Sequence, residues 1–191
     1  MLPGNAFFLI LKQVEDFSAI LLKLINLTEG YAMFRVITVE VGFCYGHRLL
    51  NYSGKCGHLH GHQGTVQVSL GGNRVDELGM VMDYGIVKGF VKGWVDEYWD
   101  HRMLLNDKDP LVPVIRPHDN RIHPVPFNPT SECMGAQLFE AVDGWLTLLS
   151  QAQNPSGCRL LSVKFWETPT SSVVCYADGA VAVEGVLCGG E

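Results

Sequence analysis

The sequence predicts an α+β domain: one four-stranded antiparallel sheet with two helices on one face. Three observations carry this reading. Phe34 to Phe43 and the stretch from His60 to Leu70 alternate apolar and polar side chains, the period of a half-buried strand. Two middle segments, opening at Asp83 and at Thr130, repeat apolar residues at three- and four-residue steps, the period of a helix. Two more extended stretches, Leu160 to Thr168 and Ser172 to Tyr176, follow a turn-rich segment. Such a sheet has two open edges, and pairing them between subunits to close a barrel protects both.

The first 32 residues stand apart. Phe7, Leu11, Val14, Ser18, Leu21 and Ile25 fall at helical spacing, so the segment is expected to be a helical extension, with one domain over 33–191. Lys12, Glu15, Asp16 and Lys23 interrupt its apolar runs, and none reaches the ~20 residues of a membrane span.

In the first strand Ile37, Val39, Val41 and Phe43 share one face, and Cys44-Tyr45-Gly46-His47-Arg48 follows. A turn-rich loop over Asn51 to Gly57 carries Cys56. In the second strand Val66, Val68 and Leu70 continue the face of His60 and His62, and Gly71-Gly72-Asn73 ends it. A short extended piece, Gly79 to Met82, precedes an N-cap at Asp83. The first helix carries Ile86, Phe90 and Trp94, with Val87, Val91 and Tyr98. Gly85, Gly89 and Gly93 fall four apart on one flank. Each costs about 1 kcal/mol against alanine, which predicts close approach to the sheet or to another subunit, or simply a weak helix. The helix ends near Asp100-His101. Asp107 to Asn128 is a Pro-rich excursion of the length that loops reach when they are functional. Thr130 or Ser131 caps the second helix, whose buried stripe is Leu138, Ala141, Val142, Trp145 and Leu149.

Composition narrows the function. A 191-residue chain with 47% hydrophobic and 18% charged residues is a globular domain able to bury a core. Its net charge of −6 argues against a nucleic-acid surface but allows a small anionic substrate held by local cations. The six cysteines have no framework spacing and no signal peptide precedes them, so the expected setting is the cytoplasm, with free thiols and no membrane.

The chemistry centres on Cys56-Gly57-His58-Leu59-His60-Gly61-His62. Side chains at i and i+2 of a strand point the same way, so His60 and His62 can share an ion, and His47 ends the neighbouring strand. Three imidazoles without an obvious fourth protein ligand are the pattern of a catalytic zinc with an open position. Cys56 then reads either as a base beside the ion or as a fourth ligand that closes it. Asp100-His101 can act as a carboxylate-oriented proton shuttle where the helix ends. Glu167 lies on the face of Val163 and Phe165, where a carboxylate needs partners; a ring edge bearing N–H groups would supply them.

Taken together, Gly46-His47-Arg48, Cys56-x-x-x-His60-Gly61-His62, Gly79-Met80-Val81-x-Asp83-Tyr84, Asp100-His101 with Leu105-Asn106, Pro129-Thr130-Ser131-Glu132 and Glu167-Thr168 resemble the 6-pyruvoyltetrahydropterin synthase and 6-carboxytetrahydropterin synthase family, from about Phe34 to Tyr176. The resemblance implies the tunnelling fold, with trimers closing barrels that stack into a homohexamer. It implies Zn2+ on His47, His60 and His62, Cys56 as general base, and Asp100 and His101 tuning proton delivery from a neighbouring subunit. It implies Glu167 as the anchor of a pterin ring, helped by Thr130 and Ser131, and 7,8-dihydroneopterin triphosphate as substrate. Three residues between the cysteine and His-Gly-His resemble the bacterial members of the queuosine pathway. Those release triphosphate and acetaldehyde and leave 6-carboxy-5,6,7,8-tetrahydropterin. Members making 6-pyruvoyltetrahydropterin have a longer spacing there and are the alternative. A non-catalytic pterin- or purine-binding protein on the same fold is the second. Cys56 argues against the folate-linked branch, which carries glutamate instead. The N-terminal 32 residues, the 107–128 excursion and Cys133 depart from the family pattern, and Arg48, Lys55 and the Arg116 to Arg121 loop are the candidates for the phosphates.

Overall fold

The computed structural model describes residues 33–149, 152–178, 180–183 and 186–189; the expectation of a helical extension over 1–32 lies outside them. Strand β1 (Arg35–His47) turns through a loop and a 3-10 turn (Lys55–Gly57) into β2 (His60–Gly72). Helix α1 (Tyr84–Tyr98), β3 (Arg102–Asn106), a short helix α2 (Leu111–Ile115) and β4 (Ile122–Val125) follow. Helix α3 (Ser131–Leu148) leads to β5 (Arg159–Thr168) and β6 (Ser171–Tyr176), and a hairpin of β7 (Ala180–Val183) and β8 (Val186–Gly189) comes last.

The four expected strands are present and antiparallel in the order β1-β2-β5-β6. The sheet is wider than expected. β3 pairs in parallel with β1, and β4 in parallel with β3, giving six strands in the order β4-β3-β1-β2-β5-β6. Both added strands come from the end of the first helix and the Pro-rich excursion. They are five and four residues long, too short to display a period, and Pro124 is tolerated because β4 is an edge strand. Gly79 to Met82 is not a strand but a turn. Asp76 accepts from Leu78 N–H at 2.9 Å and from Met80 N–H at 2.8 Å, and Gly79 takes φ +85°, a conformation that favours glycine.

Both long helices pack on one face. Val39, Val41 and Phe43 of β1, Val66 and Val68 of β2 and Phe165 of β5 bury with Val87, Val91 and Val95 of α1 and Met134, Leu138 and Val142 of α3 in one cluster. The buried row of α1 is therefore the four-residue repeat of valines. Ile86 is 45% exposed, one position round from the core. Phe90 stacks on Trp145 of α3 with centroids 4.4 Å apart and rings 7° from parallel. A Cβ added at Gly89 or Gly93 would meet nothing within 4 Å, so these glycines do not serve close approach to the sheet. Gly135 does: there a Cβ would stand 3.1 Å from Cys175 Sγ and 3.3 Å from Val173 of β6. The opposite sheet face is polar, with Gln67 donating to Glu40 and Lys164 over the Trp166 ring.

The excursion is fastened at its start by a fork. Arg48 donates through Nε to Asp109 Oδ2 at 2.7 Å and through Nη2 to Oδ1 at 2.6 Å, and Asp109 is 1% exposed. Asp109 Oδ1 also accepts from Leu111 N–H. Burial pushes the Asp109 carboxyl up, but the Arg48 and Leu111 donors and the Arg48 charge outweigh it and leave it below the ordinary value. A carboxyl so depressed stabilises the fold fully above its unfolded pKa, near 4, and loses that stability as pH falls toward the folded value. Arg48→Met strands the carboxylate and is expected to cost about 3 kcal/mol at pH 7. The difference from the parent should shrink as denaturant melts are repeated down from pH 5 to pH 2.5.

Candidate metal centre

The centre is built by strand register. β1 and β2 pair so that Tyr45 faces His62 and His47 faces His60. Cross-strand partners and i, i+2 neighbours lie on one sheet face, so all four project to the helix side. His47, His60 and His62 each offer a nitrogen, and these lie within 4.8 Å of one another.

The hydrogen bonds fix what those nitrogens are. His47 Nδ1 lies 2.7 Å from the Pro129 carbonyl and His60 Nδ1 lies 2.8 Å from the His58 carbonyl. A carbonyl only accepts, so each Nδ1 carries the proton and each Nε2 presents a lone pair. Yet the two Nε2 atoms are 3.0 Å apart, and His62 Nε2 is buried with no hydrogen-bond partner among the described residues. Lone pairs converging at that distance repel unless a cation lies between them. A zinc-sized ion about 2.0–2.1 Å from each nitrogen separates them by roughly 3.4 Å, so the two rings need part only by a few tenths of an ångström to admit one. Metal-bound histidines characteristically give their other N–H to a carbonyl, as His47 and His60 do. Burial holds His47 and His62 below the usual imidazole pKa, which keeps them in the neutral form that binds metal.

Glu167 closes one side. Its Oε1 is 3.7 Å from His47 Nε2, 3.9 Å from His62 Nε2 and 3.3 Å from the Tyr45 hydroxyl, which donates to it. The turn before α3 forms the other side. Pro129 seats His47, and Thr130 is the N-cap, its Oγ1 accepting from Cys133 N–H at 3.3 Å. Ser131 opens the helix. Asn128 accepts from Leu50 N–H at 2.8 Å and donates to Leu50 O at 3.0 Å. This ties the chain just after His47 to the turn that seats it.

Cys56 lies in the 3-10 turn, and its carbonyl accepts from Leu49 N–H at 2.8 Å. The loop is tight: a Cβ on Gly57 would come 2.3 Å from the Tyr52 carbonyl oxygen. Cys56 Sγ is not a member of the group of convergent ligand atoms, which leaves that group a three-histidine set. Asp100 and His101 do form a pair, with Asp100 Oδ2 2.8 Å from His101 Nδ1. The left-handed backbone of His101, φ 53°, turns neighbouring side chains toward each other. Cys44 N–H donates to Asp100, and His101 N–H donates to Cys44 O. Burial raises the Asp100 carboxyl, but the Cys44 N–H and His101 outweigh it and hold it low. The pair stands on the outside, His101 being 68% exposed, and among the described residues no hydrogen bond joins it to Cys56 or to the three histidines.

Two members of the surroundings escaped the sequence reading. Tyr45 shares its strand face with His47 by simple alternation, a signal that was available. Asn128 had none beyond its place before a proline. Arg48, a phosphate candidate by sequence, is committed to Asp109.

Residues 36–178 match the family model for 6-pyruvoyl tetrahydropterin synthase. The 6-carboxy-5,6,7,8-tetrahydropterin synthase of Rickettsia bellii is 32% identical over 138 residues, 71% of this chain and 96% of that protein. An uncharacterized protein from Wolinella succinogenes superposes with a TM-score of 0.65 at 29% identity, covering 76% of this chain and 99% of its own. The 6-pyruvoyl tetrahydropterin synthase of Caenorhabditis elegans does so with 0.54 at 26%, covering 76% and 97%. No helix among the described residues is long and apolar enough to cross a membrane.

The geometry predicts about one divalent ion per chain after exhaustive dialysis, read by elemental analysis. His60→Ala, on a half-buried position, should fold and weaken that affinity by about 100-fold or more.

Proposed function

The chain belongs to the 6-pyruvoyl tetrahydropterin synthase family, and from that membership we propose that it converts 7,8-dihydroneopterin triphosphate to 6-carboxy-5,6,7,8-tetrahydropterin. The reaction is zinc-dependent, takes up one water across the side-chain carbon–carbon bond that breaks, and releases triphosphate and acetaldehyde, a step toward queuosine. The observation that carries the reading is the convergence of three imidazole nitrogens beside a single carboxylate. The name of the Rickettsia relative, aligned over nearly its whole length, supports the carboxy product. The Caenorhabditis neighbour supports the second reading, elimination of triphosphate to 6-pyruvoyltetrahydropterin, on the same residues.

His47, His60 and His62 would hold the zinc, which when bound would supply Lewis-acid polarisation of the substrate's side-chain oxygens. Cys56 takes a proton from a carbon of the substrate's side chain. Asp100, kept ionised by Cys44 N–H and His101, fixes His101 through Nδ1 and leaves Nε2 to hand protons on. Its exposure suits service to a neighbouring subunit's site in a homohexamer. Glu167 accepts the ring N–H groups as a bidentate carboxylate, and Thr130 and Ser131 at the start of α3 complete the cradle. The setting is the cytoplasm.

Incubating the purified protein with dihydroneopterin triphosphate and identifying the product by mass tests the proposal. A product carrying a carboxyl at C6, with acetaldehyde, is expected; the pyruvoyl compound selects the second reading, and unchanged substrate rejects both. Cys56→Ala should keep metal and fold while turnover falls by about 100-fold or more.

A further inference from the structure

The Glu167 carboxylate stands at the threshold of ligation. Around a zinc-sized ion, an oxygen and a nitrogen bound side by side are roughly 3.4 Å apart, with each bond near 2.0–2.2 Å. Glu167 Oε1 is 3.7 Å from His47 Nε2 and 3.9 Å from His62 Nε2, a few tenths of an ångström further. Nothing rigid in its own strand holds it back, because β5 loses register with β6 between Trp166 and Thr168, and a bulge is where a strand re-aims a side chain.

Tyr45 is the fixed point. It is 4% exposed, and its ring packs among those of Phe43, Phe165, His47 and His62, with centroids 5.4, 6.0, 5.2 and 5.6 Å away. A phenol so enclosed cannot swing, and its hydroxyl needs a partner. That partner is Glu167 Oε1, at 3.3 Å. The same oxygen that faces the histidines is thus the one the phenol draws upon.

We propose that Tyr45 is a positioning residue that holds the Glu167 carboxylate off the metal, so that the ion keeps a place for substrate and the carboxylate stays free for a ring N–H. The inference rests on the metal reading above. It divides two neighbouring acceptor functions that would otherwise collapse into one closed four-ligand site, which binds metal well and substrate poorly. Without the hydroxyl, the carboxylate loses its competing donor and moves onto the ion.

Cobalt in place of the native ion reports this directly, because its visible bands follow ligand number and geometry. Protein loaded with cobalt alone, with no substrate, is compared for the parent, Tyr45→Phe, Glu167→Gln and the double variant. Tyr45→Phe is expected to shift the band positions and change their intensity, as the carboxylate joins the ion and alters its geometry. The double variant is expected to return to the spectrum of Glu167→Gln, since the intruding carboxylate is gone. In steady-state assays Tyr45→Phe should lower kcat/KM by about tenfold, while its denaturant midpoint stays near the parent's. Coincident spectra for the parent and Tyr45→Phe would overturn the positioning role, as would a parent spectrum that already shifts on Glu167→Gln, which means the carboxylate is bound from the start. A parent that takes up no stoichiometric cobalt overturns the metal reading instead, and this inference with it, and is told apart by the uptake measurement.

Discussion

The antiparallel register of β1 against β2 is the constraint on which the rest depends. It sets Tyr45 across from His62 and His47 across from His60, so four side chains reach one small volume without any loop having to position them. A slip of one residue would send two of the imidazoles to the opposite face. The valines of the same two strands, buried against α1 and α3, make that slip costly, since it would also turn the core outward. Packing far from the centre therefore enforces its geometry.

The helices contribute more than a lid over the sheet. The turn before α3 presents the Pro129 carbonyl to His47, and the cap at Thr130 fixes how that turn enters the helix. Asn128 then grips Leu50 from both sides of its peptide. The His47 imidazole is thus oriented by backbone groups on a separate element, the kind of outer support that keeps metal ligands in one tautomer. The Asp100–His101 pair is anchored differently, on the backbone of Cys44, and faces solvent.

Much of this was legible in the residues. β5 and β6, whose burial does not alternate cleanly, showed only as extended stretches between turns, while alternation identified β1 and β2. The His47, His60 and His62 set was legible for the same reason: it needs only two strands and a period of two. What was not legible depends on tertiary pairing. β3 and β4 are too short to carry a pattern and form only because β1 offers an edge. The glycine flank of α1 suggested close packing, but Gly89 and Gly93 face open space, whereas Gly135, which gave no signal by spacing, is the one pressed against β6. Arg48 looked available because a sequence cannot show that Asp109, 61 residues away in the chain, is buried beneath it. Spacing alone left Cys56 undecided between base and ligand, and its sulfur is not among the convergent ligand atoms of the described residues.

The excursion between α1 and α3 is clasped at both stems. Asp109 holds Arg48 at one end and Asn128 holds Leu50 at the other, both within three positions of His47. Inside the clasps α2 and β4 are held too, Val112 and Ile122 in a small buried cluster and β4 in the sheet, so the loop between fixed posts is the turn over 116–121, and lengthening it costs only about 0.6 kcal/mol per doubling. That turn is therefore a place where evolution can write in new sequence while His47, beside the clasps, keeps its aim.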